Sequence, residues 1–290
     1  TSSAASDVYK RQVLNLTASE TFFPEKRLFF LEGNEVFTVM PRDDYQSIYR
    51  DAVNEDFATT SRQVYLRDYI PLPISLVNTR RIGGTANQVE VGDGVSPNRG
   101  QRDVPTDLIG AAKVTGAVGD YRYGVLGAIE NDVSWSGSDT AGFPVEIESS
   151  GRDFAVARLT YENVGETRRS VGYMGTFVGG PLYDAVVHSI DGHYVGASGR
   201  LKADAQLIRS DRAELQGYGA VFDVTYSQTN GLRHKLEIDY MDEDVNFNDL
   251  GFLLRNNYGR ARYALMFSKN KLTEKLYNFR STLSVIQQYN

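Results

Sequence analysis

The sequence predicts an all-β protein, and more specifically an antiparallel transmembrane β-barrel with an irregular N-terminal segment. Three observations support this: charged and apolar residues alternate along many segments, tight turns are interleaved with longer connections, and no apolar run is long enough for a helical membrane span. Extended backbone sends neighbouring side chains to opposite faces. Strict alternation therefore gives one polar and one apolar face, as in a barrel wall between a polar lumen and lipid.

The composition is compatible with this class and excludes several others. A hydrophobic fraction of 41% is ordinary for a soluble chain. A transmembrane barrel can have a similar hydrophobic fraction, because only alternate residues of its strands face lipid. The 18 Tyr and 14 Phe suit interfacial aromatic girdles. A net charge of −6 argues against a nucleic-acid partner, and the absence of Cys excludes disulfides and thiolate sites.

We expect three regions along the chain. Residues 1–12 resemble a translated adapter sequence, so we treat them as a non-native segment outside the fold. Residues 13–104 are expected to begin the barrel domain and to carry a signature motif with a long irregular insert or plug. Residues 105–290 are expected to form the antiparallel barrel strands, truncated at the C-terminus.

Eleven candidate strands follow from the alternation and the turn signals, so the barrel is expected to be incomplete, with about 11 or more strands present. The tight connections include Gly119-Asp120, Asn230-Gly231 and Tyr258-Gly259, whereas 133–151 is expected to be a long loop. Because single-chain bacterial barrels normally have an even number of strands, at least one more strand is expected. The predicted strands are 106–118, 121–132, 152–163, 167–179, 184–194, 199–210, 215–228, 231–242, 248–256, 259–269 and 275–288.

Charged side chains lie on one face of these strands, opposite aromatic and aliphatic residues such as Tyr218, Phe222 and Tyr226. A charge facing lipid near the bilayer midplane costs several kcal/mol, so these residues are predicted to face the lumen. The predicted lumen-facing charges are Arg200, Lys202, Asp204, Asp223, Arg233, Lys235, Glu237, Asp239, Arg260 and Arg262.

A motif of unusual composition spans residues 22–33, with the sequence FFPEKRLFFLEG. Together with the run NTRRIG at 78–83, it resembles the signature of the domain-of-unknown-function family 5916. The resemblance implies an outer-membrane β-barrel, commonly preceded by a family 9-type carbohydrate-binding domain that this sequence lacks. Leu28 departs from the family pattern, which usually has Pro there. The signature residues singled out are Phe23, Pro24, Glu25, Lys26, Arg27, Glu32, Gly33, Arg80 and Arg81.

Arg27 offers a planar fork that suits a carboxylate, so the motif predicts an ion-paired segment held against the wall or within the lumen. We interpret these charges, and Arg80-Arg81, as architectural, because buried paired charges are more often structural than functional. A ligand or catalytic role is the less favoured alternative.

Evidence for chemistry is sparse, and no catalytic, cofactor-binding or metal-binding residues are predicted. The spacing of His188, His193 and His234 matches no common metal motif, and 242–249 lacks the Gly and Glu of a calcium loop. The favoured hypothesis is a protein of the bacterial outer membrane, in contact with the lipid bilayer, that binds or passes a polar solute, with a glycan as one candidate. A glycoside hydrolase-like enzyme and a soluble β-sandwich stay open as alternatives, although the residues favour a non-enzymatic protein.

Overall fold

A computed structural model describes residues 25–40, 74–271, 273 and 277–290 of the chain. The expected adapter-derived segment 1–12, the motif residues Phe23 and Pro24, and most of the expected insert lie outside the described residues.

The described part of the chain is all-β with antiparallel sheets, as predicted. It carries one short α-helix, α1 (Leu28–Leu31), and three 3-10 helices at Asn34–Phe37, Thr79–Arg81 and Gln101–Asp103. Among the described residues, no helix has the length and hydrophobicity needed to cross a membrane. The strands are, in chain order, β1 (Ile74–Ser75), β2 (Ser96–Pro97), β3 (Leu108–Val118), β4 (Tyr121–Glu130), β5 (Val133–Ser138), β6 (Pro144–Ser149), β7 (Asp153–Val164), β8 (Arg168–Gly179), β9 (Ala185–Val195), β10 (Leu201–Arg212), β11 (Leu215–Ser227), β12 (Leu232–Met241), β13 (Phe252–Leu253), β14 (Tyr258–Lys271) and β15 (Tyr277–Tyr289).

Ten of these strands form one antiparallel sheet in the order β15-β14-β12-β11-β10-β9-β8-β7-β4-β3. We call the end with the short β3–β4, β7–β8, β9–β10, β11–β12 and β14–β15 connections the turn end, and the opposite end the loop end. At the turn end, Gly231 has φ of 89°, and a Cβ there would lie 2.2 Å from the Ser268 carbonyl oxygen. Glycine is therefore required in this hairpin turn. Within the described residues, β3 and β15 are the two edges of the sheet, and no pairing between them closes it.

Three predictions about individual elements were wrong. Residues 248–256 do not join the large sheet, and only Phe252–Leu253 pairs, with Ile74–Ser75. The physical reason is local: the Asn248 side-chain amide bonds both the backbone nitrogen of Leu253, at 2.6 Å, and its carbonyl oxygen, at 3.0 Å, which holds a loop. The large sheet therefore has ten strands within the described residues, where eleven had been predicted.

The expected long loop at 133–151 instead contains the β5–β6 hairpin, which forms a three-stranded sheet with β2. Its apolar side chains, Trp135 among them, pack with Val133, Ile147 and Ala86 in a small separate cluster. The third correction concerns Tyr258-Gly259, which begins β14 and is not a turn, because the turn ends at Asn257 with φ of 51°.

The two faces of the large sheet have opposite chemistry. We call the face on which the N-terminal segment packs the inner face, and the opposite, exposed face the outer face. On the outer face, one row of paired residues crosses seven adjacent strands and contains apolar or aromatic residues throughout: Tyr123, Leu159, Tyr173, Ile190, Leu207, Ala220 and Tyr240. All of them except the small Ala220 are exposed. The inner face carries buried charges, including Glu237 with only 1% of its surface exposed.

The N-terminal segment and the 242–257 connection pack against the inner face near the loop end. Phe30, Phe37 and Ile82 join Leu126 and Met174 of the strands in the main cluster of buried apolar residues. Val245, Phe247 and Leu250 complete this cluster from the 242–257 connection. The inner face is thus filled near the loop end, whereas cavities remain towards the turn end.

Candidate functional site

The candidate site is the polar inner face of the large sheet, between the N-terminal segment and the turn end. Nine of the ten charges that the alternation predicted to face the lumen occupy inner-face positions in β10, β11, β12 and β14. The tenth, Arg200, lies in the turn before β10 and lines the same cavity as several of the others. These residues are Arg200, Lys202, Asp204, Asp223, Arg233, Lys235, Glu237, Asp239, Arg260 and Arg262.

Two of the predicted carboxylates form buried ion pairs across β12 and β14. Glu237 lies 2.6 Å from the Arg262 guanidinium and 2.7 Å from the Lys235 ammonium. Asp239 is paired with Arg260 in the next inner-face position. Because each pair joins residues in cross-strand register, the charges are held by the sheet geometry itself.

A second network, centred on Asp191, was missed by the sequence reasoning. Arg158 donates both terminal guanidinium nitrogens to the Asp191 carboxylate, which is 2% exposed. His193 places one ring nitrogen 3.0 Å from Asp191 and the other 2.8 Å from Asp204. The alternation places all four on the inner face, but the contacts between them depend on the register between separate strands.

A cavity of about 580 Å³ lies between this network and the N-terminal segment. Its lining includes Glu35 from the segment and Glu162 from β7. Glu162 is ion-paired with Arg122, at 3.1 Å, and with Arg168. The cavity wall is therefore polar and charged, and it can hydrogen-bond a polar solute.

A second cavity, of about 340 Å³, lies at the turn end of β10, β11, β12 and β14. Cationic side chains dominate its lining, which also contains the hydroxyls of Thr225 and Ser227. The Arg233 Nε donates a hydrogen bond of 3.2 Å to the Ser227 hydroxyl.

The signature motif fixes the N-terminal segment to the turn at residues 79–82. Glu25 and Arg27 form a two-point ion pair, with Nη2 to Oε2 at 2.7 Å and Nε to Oε1 at 3.0 Å. Arg27 also donates to the Thr79 and Ile82 carbonyls, while the Thr79 hydroxyl donates to Glu25 at 2.7 Å. Burial alone would raise the pKa of Glu25, but the hydrogen bonds and charge of Arg27 lower that pKa to about 2.

The remaining described signature residues lie around this anchor or along the same segment. The Lys113 ammonium on β3 donates to the Glu32 carbonyl oxygen, and Lys26 is exposed. A Cβ at Gly33, whose φ is 66°, would lie 2.8 Å from a Thr115 side-chain oxygen, so the close approach of the segment to β3 requires glycine.

Arg80 and Arg81 lie in a 3-10 turn at Thr79–Arg81. The Arg81 carbonyl accepts from Arg152, which forms a buried pair with Glu130 at 2.8 Å. Glu130 also accepts from the Gly83 backbone nitrogen at 2.8 Å. Arg152 and Glu130 were not predicted, and they tie the turn to the loop end of the large sheet.

This geometry suits binding better than acid–base or nucleophilic chemistry. Both ring nitrogens of His193 face carboxylates, so neither is available to Ser170, its cross-strand neighbour. Within the described part of the chain, no cluster of three metal-ligating residues occurs. The carboxylates of Asp191, Glu237 and Glu162 are all engaged by arginine.

Fold and site together define an all-β protein with one long antiparallel sheet, an exposed apolar face and a charged inner face. The chain belongs to the family described as a domain of unknown function (DUF5916), which matches residues 74–290 and confirms the predicted family. The run at 78–83 lies inside the matched range, whereas the motif at 22–33 lies outside it.

A search of solved structures found similarity to OmpT, an outer membrane protein of Vibrio cholerae in its trimer form. The two share 15% identity with a TM-score of 0.32, and the match covers 69% of this chain. The chain spans 62% of the length of that protein. No curated protein matches the sequence.

Proposed function

We propose that this protein is a β-barrel of the bacterial outer membrane that binds or passes a polar solute. In this proposal, the large sheet closes around a polar lumen with further strands, and its outer face contacts the lipid bilayer. The net charge of −6 supports a partner other than nucleic acid.

The observation that carries the proposal is the exposure of the apolar face. Leu207 is 63% exposed and its paired neighbour Ile190 is 56% exposed, in the middle of a row that spans seven strands. An adjacent row is also apolar: Tyr121, Tyr161, Val171, Gly192, Ala205, Phe222, Ile238 and Ala261. Continuous apolar surface on this scale marks contact with a protein or a membrane, and the length of the strands favours a membrane.

Aromatic residues near the turn end support the same proposal. The Tyr263 hydroxyl lies 2.7 Å from His234 Nδ1, and the Tyr226 ring is 6.2 Å from the His234 ring. Rings with a polar tip are favoured where a membrane meets water. In this proposal, they belong to one girdle of the apolar band.

The charged inner face supports a polar lumen. An ionised side chain that is buried needs a partner of opposite charge. Arg158, Arg260 and Arg262 on the inner face each have a carboxylate partner. A polar surface of this kind, with cavities of about 580 and 340 Å³, can accommodate a polar solute. A glycan is one member of that class.

The test of location is expression with a secretion leader in a Gram-negative host, followed by membrane fractionation. We expect recovery in the outer-membrane fraction and a shift in gel migration between unheated and boiled samples, as for folded barrels. A known periplasmic protein and a known outer-membrane protein serve as fractionation controls. Recovery as a monomer that is soluble without detergent would contradict the proposal.

The test of solute handling uses the same protein reconstituted in liposomes. Maltotriose influx is measured by swelling, and maltotriose binding is measured by calorimetry in detergent, with protein-free liposomes and micelles as controls. Inorganic phosphate is measured in parallel as a polar solute that is not a sugar. If none of these probes enters the liposomes and none binds, the solute part of the proposal is contradicted.

A further inference from the structure

The cavity of about 340 Å³ at the turn end has an unusual lining, because the charged side chains in it are all cations. They come from β10, β12, β14 and the turn before β10. The five cations are Arg200, Lys202, Arg233, Lys235 and Arg262.

The carboxylates nearby do not balance these charges. Glu237 is shared by Lys235 and Arg262, and Asp223 is its cross-strand neighbour on β11. Counting Glu237, Asp223 and Asp204, the cross-strand neighbour of Asp223, against the five cations still leaves two positive charges in excess. Arg200 and Lys202 form no ion pair with any part of the chain that the structure describes.

Elsewhere on the inner face, the sheet matches cations with acids. Arg158 is paired with Asp191, and Arg260 with Asp239. The larger cavity has Arg122 and Arg168 in its lining, but that lining also includes the carboxylates of Glu35 and Glu162, whereas the lining of this cavity includes none. Like charges gathered in a cavity with low-dielectric walls focus a positive potential, which an anion relieves.

We infer that this cavity binds the oxyanion groups of an acidic solute, namely carboxylate, phosphate or sulfate. The arginine guanidinium groups offer paired donors that fit two oxygens of such a group, and Lys202 adds a point charge. The hydroxyls of Thr225 and Ser227 supply neutral donors in the same lining. This inference names the solute class of the proposed function and rests on it for the biological role.

Binding is measured by calorimetry on the purified full chain in detergent micelles, at low and high salt. The probes are trigalacturonate, which carries three carboxylates on a sugar chain, pyrophosphate, and neutral maltotriose. The test variant is Arg200→Gln/Lys202→Gln/Arg233→Gln. The matched control is Arg99→Gln/Arg102→Gln/Arg255→Gln, which removes the same charge from exposed positions outside the cavity.

We expect at least one of the two anions to bind and maltotriose to bind more weakly. Removing three cations should raise Kd on the order of 1,000-fold, since each charged hydrogen bond contributes about tenfold or more. High salt should weaken binding, and the control variant should bind as the wild type does. Stronger binding of trigalacturonate identifies an acidic glycan, and stronger binding of pyrophosphate identifies a small phosphate.

Three results would overturn the inference: no binding of either anion, equal affinity for maltotriose, or unchanged affinity in the test variant. Gel migration before and after boiling shows whether each variant is folded. Absence of anion binding in a protein recovered from the outer membrane would refute this inference alone. Anion binding by a protein that fails to reach the membrane would refute the location alone.

Discussion

Replacing Leu207 with arginine places a charge in the centre of the exposed apolar row. Leu207 is 63% exposed, lies in the middle of β10 and pairs with Ile190 and Ala220 on the neighbouring strands. If this row contacts lipid, Leu207→Arg should destabilise the protein by about 2–4 kcal/mol, the cost of arginine near the bilayer midplane. If the row contacts water, the change should fall within about 0.5 kcal/mol, as for exposed positions in general.

Leu201→Arg is the matched control. Leu201 lies on the same face of β10, six residues nearer the turn end, which is roughly 20 Å along the strand. That distance places it near the edge of an apolar band about 25 Å tall, where arginine costs about 0–1 kcal/mol. The pair of variants therefore has the same chemistry and differs in depth.

The assay is equilibrium unfolding in guanidinium chloride of protein refolded into phosphatidylcholine vesicles, followed by tryptophan fluorescence and by gel migration. The expected result is a lower free energy of unfolding for Leu207→Arg than for Leu201→Arg. Equal stability of the two variants and the wild type would refute lipid contact at Leu207. Greater solubility of Leu207→Arg without detergent would refute it as well.

Three further predictions concern the inner face and the N-terminal anchor. Arg27 lowers the pKa of Glu25 from 4.5 to about 2, so the stability that this carboxylate contributes is present above pH 4.5 and is lost as the pH falls towards 2. Glu25→Gln should therefore flatten that part of a curve of unfolding free energy against pH. Asp191→Asn should cost about 3–5 kcal/mol in chemical unfolding because it leaves the buried Arg158 charge uncompensated, so stability equal to the wild type would contradict a buried pair. Gly217→Ala should destabilise the protein by about 1–3 kcal/mol or more in chemical unfolding, because the added Cβ would lie 2.0 Å from a backbone nitrogen of the neighbouring loop. An unchanged midpoint of unfolding would contradict that packing.

The two-residue alternation, together with the turn signals, predicted the strands of the large sheet, because both are local properties of the sequence. It placed β10 at 199–210 where the structure has Leu201–Arg212, and β12 at 231–242 where the structure has Leu232–Met241. The same rule failed at 248–256, where the Asn248 side chain bonds the backbone and holds a loop with alternating apolar residues.

The features that escaped prediction depend on contacts between distant parts of the chain. The β5–β6 hairpin is stabilised by Trp135 packing in a cluster with Ala86, which lies far away in sequence. Likewise, the alternation of faces along a strand predicts that Arg158 and Asp191 lie on the inner face. Their ion pair depends on how β7, β8 and β9 are aligned with one another, which alternation does not predict. The two-residue period thus predicts which face a side chain occupies, and not which partner it contacts.

The proposed function requires that lipid contacts the outer face of the large sheet and that the inner face is shielded from lipid. The chain has no Cys, so single cysteines can carry a spin label without background. Labels are placed one at a time at Ile190, Leu207 and Phe222 on the outer face and at Gln206 and Val221 on the inner face. For each label in vesicles, the rate of collision with oxygen, which partitions into lipid, is compared with the rate of collision with a water-soluble nickel complex.

We expect high oxygen and low nickel accessibility at the three outer positions, and low oxygen accessibility at their inner neighbours. Alternating values between Gln206 and Leu207, and between Val221 and Phe222, would be the direct signature of a wall between lipid and lumen. High nickel accessibility at Ile190, Leu207 and Phe222, or no alternation between neighbours, would contradict it.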